Sequence, residues 1–335
     1  MCGCRVAVAS SARPVMDECV IQTLSSFGGN RDVIKQNYSN IVLTGGTGLL
    51  GSHLLPMLAD KAHVWAIGQG SPEETENVSW VKCDLAGDLS CLREQLPERV
   101  DAVIHLAQSQ FFRDFPAKAD HIFHVNVAST QALLQIASER GCQHFVNAST
   151  GGVYDAADAP FIEGKAHVTG RGLAMYPASK LCSELLVNAY AGLFSVVNLR
   201  FFFIYGKGQS DSMLMPRLVN SVYQGAPITL QGENGLSLNP VHASDAAKAV
   251  IAALSLDGAH AINVAGRDIV TLRQIGEWIG SNLGVAPKFD CRAEQKAPNM
   301  VADIEQMSRH LLSPEIACHH GIADYCNHYL AGKAE

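Results

Sequence analysis

Asn40-Ile41-Val42-Leu43-Thr44-Gly45-Gly46-Thr47-Gly48-Leu49-Leu50-Gly51 is the stretch that decides the fold. Ile41 to Leu43 is a short apolar run, and the glycines follow at once. Leu50, Leu54, Leu55 and Leu58 then recur at helical spacing. A strand that passes through a glycine turn into a helix opens a β–α unit. Its tight turn needs a residue without Cβ. Gly48 would let backbone come close to a pyrophosphate, and Gly51 would let the helix pack on the strand. The start of the helix offers unpaired N–H groups and the positive end of a dipole to such an anion.

The same alternation continues downstream. His63 to Ile67, Ser79 to Cys83, Ala102 to Leu106, His144 to Ala148 and Ser195 to Phe202 read as further buried strands. Asn126 to Arg140 and Ala178 to Leu193 read as helices between them. Short apolar strands separated by helices imply an α/β chain: a Rossmann-type doubly wound parallel sheet, covered on both faces. After Tyr205 the rhythm breaks. Loops at Gly206 to Ser212 and Gln231 to Pro240 alternate with helices at Pro216 to Gln224 and Leu272 to Leu283, which predicts a smaller C-terminal substrate lobe. The expected division is a dinucleotide-binding domain at 39–205 plus about 239–265, and a substrate lobe at 206–238 and 266–335. Ligands should bind in the cleft where the lobe meets the carboxyl ends of the strands. Residues 1–38, rich in Ser, Gly, Cys and Asn, read as an extension, either poorly ordered or bearing a short helix near Val15 to Leu24.

Composition narrows the function. The 335 residues are 47 % apolar and 17 % charged, enough for a large core and too uncharged for a disordered chain. A net charge of −7 with no basic block argues against nucleic acid or anionic lipid as partner. No apolar run approaches the roughly 18 residues of a membrane span. The ten cysteines are scattered, and no secretory signal is visible. Free thiols and a cytoplasmic setting are expected. Cys318, His319, His320, Cys326 and His328 cluster, but their spacing fits no zinc pattern, so no metal is expected.

Chemistry enters with Tyr176-Pro177-Ala178-Ser179-Lys180. Positions four apart share one helical face. A phenol with a pKa near 10 is a poor base at neutral pH, and a neighbouring ammonium would lower that value. Taken alone, the pattern also describes a packed tyrosine beside a solvated lysine. Upstream, Asn147-Ala148-Ser149-Thr150-Gly151-Gly152-Val153-Tyr154 ends a strand, and the Thr150 hydroxyl could stabilise charge on a reacting oxygen or merely cap a turn.

These segments resemble a known family. The G-x-x-G-x-x-G spacing resembles the short-chain dehydrogenase/reductase superfamily. Cys83-Asp84-Leu85, His105-Leu106-Ala107-Gln108, Asn126-Val127, Leu199 to Gly206 and Pro240 to Asp245 resemble, in order, segments of its extended branch, the NAD-dependent epimerase/dehydratase family. The resemblance implies Tyr176 as acid/base, Lys180 as its partner and a ribose ligand, and Thr150 as the polarising hydroxyl. It implies a cofactor site of Gly45, Thr47, Gly48, Leu49, Leu50, Gly51, Gln69, Asp84, Leu85, Leu106, Ala107, Gln108, Ala148, Tyr176, Lys180 and Phe203. It also implies a homodimer through the long helices.

Departures from the family pattern sharpen these expectations. Gly151 and Gly152 follow Thr150 where 4,6-dehydratases and related decarboxylases carry an acid, which disfavours those branches. Phe203 replaces the usual asparagine, and Leu238 replaces an arginine that holds a nucleotide diphosphate. Another arginine is missing before Ala302-Asp303. Arg217, Arg292 and Lys296 are the candidate substitutes. Asp155 replaces a glycine, with no predictable consequence. After the second strand stands Gln69, neither the acid that favours NAD nor the arginine that favours NADP; the lack of a nearby cation tips the choice to NAD. The expected activity is that of a nicotinamide-dependent sugar epimerase-type oxidoreductase, with Tyr176, Lys180 and Thr150 assisting hydride transfer at a secondary alcohol. Whether the sugar carries a nucleotide stays open. A net reductase or dehydrogenase of a smaller carbonyl or alcohol is the alternative, and a non-catalytic dinucleotide-binding protein the second.

Overall fold

The computed structural model describes residues 38–70, 76–166 and 168–334. The helix expected near Val15 to Leu24 lies outside them. Six strands open the fold: β1 (Asn40–Thr44), β2 (His63–Gly68), β3 (Val78–Lys82), β4 (Ala102–His105), β5 (His144–Thr150) and β6 (Ser195–Phe201). Shorter strands follow: β7 (Ile204–Tyr205), β8 (Pro227–Gln231), β9 (Ser237–Leu238) and β10 (Val241–His242). The last are β11 (Ala259–Val264), β12 (Val270–Thr271), β13 (Lys288–Arg292) and β14 (Asn299–Met300). The main sheet has seven parallel strands in the order β11-β6-β5-β4-β1-β2-β3. The chain leaves β1 toward β2 and β3, then returns to β4 on its other side. A crevice must open at that reversal, beyond the carboxyl ends of β1 and β4.

Helices cover both faces. They are α1 (Leu49–Ala59), α2 (Leu92–Gln95), α3 (Ala119–Phe123), α4 (Ser129–Glu139), α5 (Met175–Ala189), α6 (Leu214–Tyr223) and α7 (Ala243–Ala253). Three more follow: α8 (Leu272–Leu283), α9 (Glu305–His310) and α10 (Cys318–Ala334). On one face Leu54 and Leu58 of α1 and Val250 of α7 pack with Ile41, Leu43 and Ile104. On the other, Leu133 and Leu134 of α4 and Val187 of α5 pack with Val42, Val103 and Phe145. Strands buried on both sides explain the nearly unbroken apolar runs.

Two helix starts differ from expectation. The helix placed from Asn126 begins at Ala119 and passes through a π turn at His124–Ala128. Within that turn the Asn126 side chain is buried, accepting from Ser109 N (2.9 Å) and donating to Ser179 Oγ (2.8 Å). The helix placed from Ala178 begins at Met175, because Pro177 is tolerated in a first turn whose N–H groups have no intrahelical partner.

Tyr205, Met215, Leu230, Ile275 and Ile322 form a separate apolar core among α6, α8 and α10. A capping box of Thr271 and Gln274 starts α8, and Gly284 ends it in the left-handed region. Residues 302–316 run back to the main sheet, where Met307 is buried with the α7 side of the core. Cys318 and Cys326 are buried in the lobe core rather than gathered with the nearby histidines. Among the described residues, no three His, Cys, Asp or Glu are grouped to hold a metal ion, and no helix is long and apolar enough to cross a membrane.

Candidate active site

The glycine turn is built by close backbone approach. Gly45 has φ +74°, and a Cβ there would lie 2.9 Å from Ala107 N at the end of β4. A Cβ on Gly51 would lie 2.1 Å from Gly45 O. The turn therefore folds under the first turn of α1, as only glycine permits. Gly48 is the N-cap of α1 and no side chain caps it, so the first N–H groups of the helix are free for a ligand. They face a cleft of about 620 Å³.

Twelve of the sixteen residues expected at the cofactor site line this cleft: Gly45, Thr47, Gly48, Leu49, Leu50, Gly51, Leu106, Gln108, Ala148, Tyr176, Lys180 and Phe203. Gln69, Asp84, Leu85 and Ala107 are not among its walls. Gln69 and Asp84 are brought together by a side-chain hydrogen bond. The Asp84 carboxylate accepts from Ala86 N (2.9 Å), which, with the Gln69 bond, holds its pKa below the usual range. Ala107 contributes its carbonyl to Lys180, and Leu85 is buried in the core.

Tyr176, Thr150 and Lys180 meet in the cleft. The Tyr176 hydroxyl donates to Gln108 Oε1 (2.9 Å), and the neighbouring Thr150 side chain favours its ionised form. Thr150 Oγ1 also accepts from Gly152 N (3.2 Å), so the hydroxyl caps a turn as well as facing the phenol. Lys180 is buried, and its Nζ donates to Ala148 O (2.9 Å) and Ala107 O (3.4 Å). Burial lowers its pKa to about 8. The phenol differs from expectation. Burial pushes the Tyr176 pKa up to about 12, and the Thr150 side chain opposes that without winning. The Lys180 ammonium spends its bonds on strand-end carbonyls and does not bring the phenol down. His105, between Thr44 Oγ1 (2.7 Å) and Thr130 Oγ1 (3.1 Å), is kept neutral, its pKa lowered to about 3 by burial and by the Lys180 charge.

Glu184 extends the stripe of Tyr176 and Lys180 by one more turn. Its carboxylate is buried, bound by the Ser149 hydroxyl and twice by Arg200, at 2.9 and 2.7 Å. Arg200 lies 4.8 Å over the Tyr154 ring. This ion pair braces the end of β5 that carries Thr150. The i+4 continuation of Tyr176 and Lys180 could have found it. Gly151 has a steric cause: a Cβ there would lie 2.3 Å from the Phe202 ring. A glutamate or aspartate has no room at position 151, whereas a Cβ at Gly152 would stand 3.4 Å from Pro177.

The cations proposed as diphosphate ligands are elsewhere. Arg217 is exposed on α6, Arg292 pairs with Asp290, and Lys296 pairs with Asp158; none lines the cleft. Leu238 is buried and forms part of the cleft's wall. Among the described residues, the cleft's cations are Lys180 and Arg113, and no carboxylate lines it. Arg113 was missed because it lies in an aperiodic loop after β4. Its guanidinium sits 4.9 Å over Phe112 and donates to Ser212 O (3.0 Å), on the lobe side. Phe112 in turn packs against Tyr176, ring centres 5.2 Å apart. Phe203 holds φ +46°, a strained position for a residue with a side chain, in the wall of the cleft.

A doubly wound parallel sheet with a glycine turn and a cleft beyond its carboxyl ends defines a Rossmann-type α/β protein. The profile of the NAD dependent epimerase/dehydratase family matches residues 41–265. The chain belongs to that family. It is 31 % identical over 241 residues to the uncharacterized UDP-glucose epimerase YtcB of Bacillus subtilis, covering 64 % of this chain and 72 % of that protein. It is 28 % identical over 229 residues to a UDP-glucuronate 4-epimerase of Thermodesulfobacterium geofontis, covering 67 % and 70 %. The structure of MoeE5 in complex with UDP-glucose and NAD superimposes with a TM-score of 0.74 at 25 % identity, over 88 % of this chain and all of that one.

Proposed function

We propose that the protein is an NAD-linked epimerase-type oxidoreductase acting on a nucleotide sugar. One observation carries this: Tyr176, Thr150 and Lys180 converge in a cleft that begins at an uncapped helix N-terminus and has no carboxylate among its described walls. The chain as a whole carries a net charge of −7, so a cleft whose described walls hold two cations and no acid is suited to anionic ligands. The cradle fits a dinucleotide. Gly45, Thr47, Gly48 and the first N–H groups of α1 would take its pyrophosphate, Gln69 and Asp84 its adenosine end, and Lys180 its nicotinamide ribose. When bound, the nicotinamide supplies two-electron oxidation and reduction of a carbinol carbon. Tyr176 Oη passes a proton to and from the substrate oxygen, and the Thr150 hydroxyl steadies charge on that oxygen. Arg113, at the lobe side of the cleft, binds the substrate's phosphate or carboxylate.

In this scheme 39–205 with about 239–265 bind the dinucleotide, and 206–238 with 266–335 supply the substrate side. A homodimer forms through α5, whose Leu185 is 63 % exposed. The seven described cysteines are all free, which suits a reducing cytoplasm. The resting phenol bears its proton, and that favours donation to a carbonyl oxygen. Net reduction is therefore the second reading. NAD found in the denatured supernatant of purified protein supports the epimerase, which regenerates its cofactor in each cycle; protein free of NAD that consumes NADH with a keto substrate supports the reductase. Failure of UDP-glucose, UDP-glucuronate and UDP-N-acetylglucosamine to raise Tm would overturn the nucleotide-sugar assignment.

A further inference from the structure

Gln108 stands where the family pattern H-L-A-A has alanine, and its carboxamide oxygen receives the one proton of the Tyr176 hydroxyl at 2.9 Å. An amide oxygen accepts a hydrogen bond and does not take the proton, so this contact is available to the phenol and not to the phenolate. Alanine makes no such contact. The Thr150 hydroxyl acts in the opposite sense on the same oxygen. The backbone next to Gln108 is fixed: Ser109 N donates to Asn126 Oδ1 (2.9 Å), and Ser109 Oγ bonds His121 Nδ1 (2.8 Å). Farther along the loop, Phe112 packs on the Tyr176 ring and Arg113 ties to Ser212 O. The side chain of Gln108 is exposed to the cleft.

We propose that Gln108 is a positioning residue that holds Tyr176 in its protonated form and yields the hydroxyl only when a substrate oxygen displaces its carboxamide. The phenol has one proton to donate, so Gln108 and a substrate carbonyl oxygen compete for it. The charged and titratable groups around the phenol are Lys180 on its own helix, His105 at the end of β4 and Arg113 on the loop. Glu184 is committed to Arg200. None of them replaces the contact made by Gln108.

The inference rests on Tyr176 as the acid/base, and the test separates the two. The full chain, saturated with NAD, is labelled with 13Cζ-tyrosine, and the Tyr176 resonance is identified by its loss in Tyr176→Phe. The phenolate-to-phenol ratio is read at one alkaline pH at which circular dichroism shows every variant folded. Gln108→Ala is expected to raise that ratio by roughly 3- to 10-fold, the size of one lost hydrogen bond to the neutral form. Gln108→Glu, which places a carboxylate against the hydroxyl, is expected to lower it by about 10-fold. A ratio in Gln108→Ala within twofold of the parent, or below it, overturns the proposal. Turnover of UDP-glucose retained in Tyr176→Phe overturns the catalytic assignment instead, and leaves the titration result standing.

Discussion

The two ends of the cleft are built from different materials. At the β1 end the wall is backbone: Gly45 and Gly51 leave no space for a Cβ, and α1 presents free N–H groups. At the lobe end the wall is side chains carried by loops: Gln108, Arg113 and Phe203, with Gln209 beyond. A site made of amides tolerates almost no substitution and binds one kind of group, a phosphate. A site made of side chains can be re-cut residue by residue. The shared end therefore suits a common cofactor, and the variable end suits a substrate particular to this chain.

This contrast can be broken by experiment. The largest expected effect is at the junction of the two ends. Tyr176→Phe should lower kcat by about 10²- to 10⁴-fold with NAD affinity nearly unchanged, as measured by single-turnover kinetics and calorimetry. Next, Gly51→Ala drives a methyl group into Gly45 O, 2.1 Å away. It should destabilise the fold by about 1–3 kcal/mol and weaken NAD binding, read by urea denaturation and titration with NAD. Arg113→Ala should raise KM for UDP-glucose by about 10-fold, with NAD affinity unaltered. Equal losses for both ligands would mean that the ends are not separate.

A separate effect, on stability alone, lies below the cleft at His105. Its pKa is lowered from 6.5 in the unfolded chain to about 3 in the fold. A depressed histidine favours the fold at pH values above 6.5, where both states are neutral. As pH falls below 6.5 the unfolded chain takes up a proton that the fold refuses. Stability should then decline by up to about 1.4 kcal/mol per pH unit until pH nears 3. His144, also depressed by burial, adds to the same trend. Urea denaturation at pH 7, 6 and 5 should show a shallower decline in His105→Gln. An identical slope in the variant would assign the acid sensitivity to other groups.

Much of the cofactor end was legible residue by residue. The run Asn40 to Gly51 declares a strand, a turn without Cβ and a helix, all within one local stretch. Tyr176 and Lys180 are legible because four residues make one helical turn. The start of α5 was misplaced by three residues because Pro177 reads as a breaker, although a first turn accepts it. Gln108 was not legible as a partner of the phenol, nor Arg113 as part of the cleft wall, since their loop has no period and its contacts reach Ser212, Asn126 and Tyr176. The direction of the Tyr176 pKa was misjudged for a related reason: spacing places an ammonium nearby but does not say how deeply the phenol is buried.

The linear chain thus determined the doubly wound sheet, the glycine turn and the helical pairing of Tyr176 with Lys180, because each depends on neighbours a few residues apart. Tertiary structure alone decided which cation enters the cleft, which group holds the phenol's proton and why Gly151 excludes an acid. Those outcomes depend on side chains tens of residues apart being packed into one space, where desolvation and steric volume outweigh local preference.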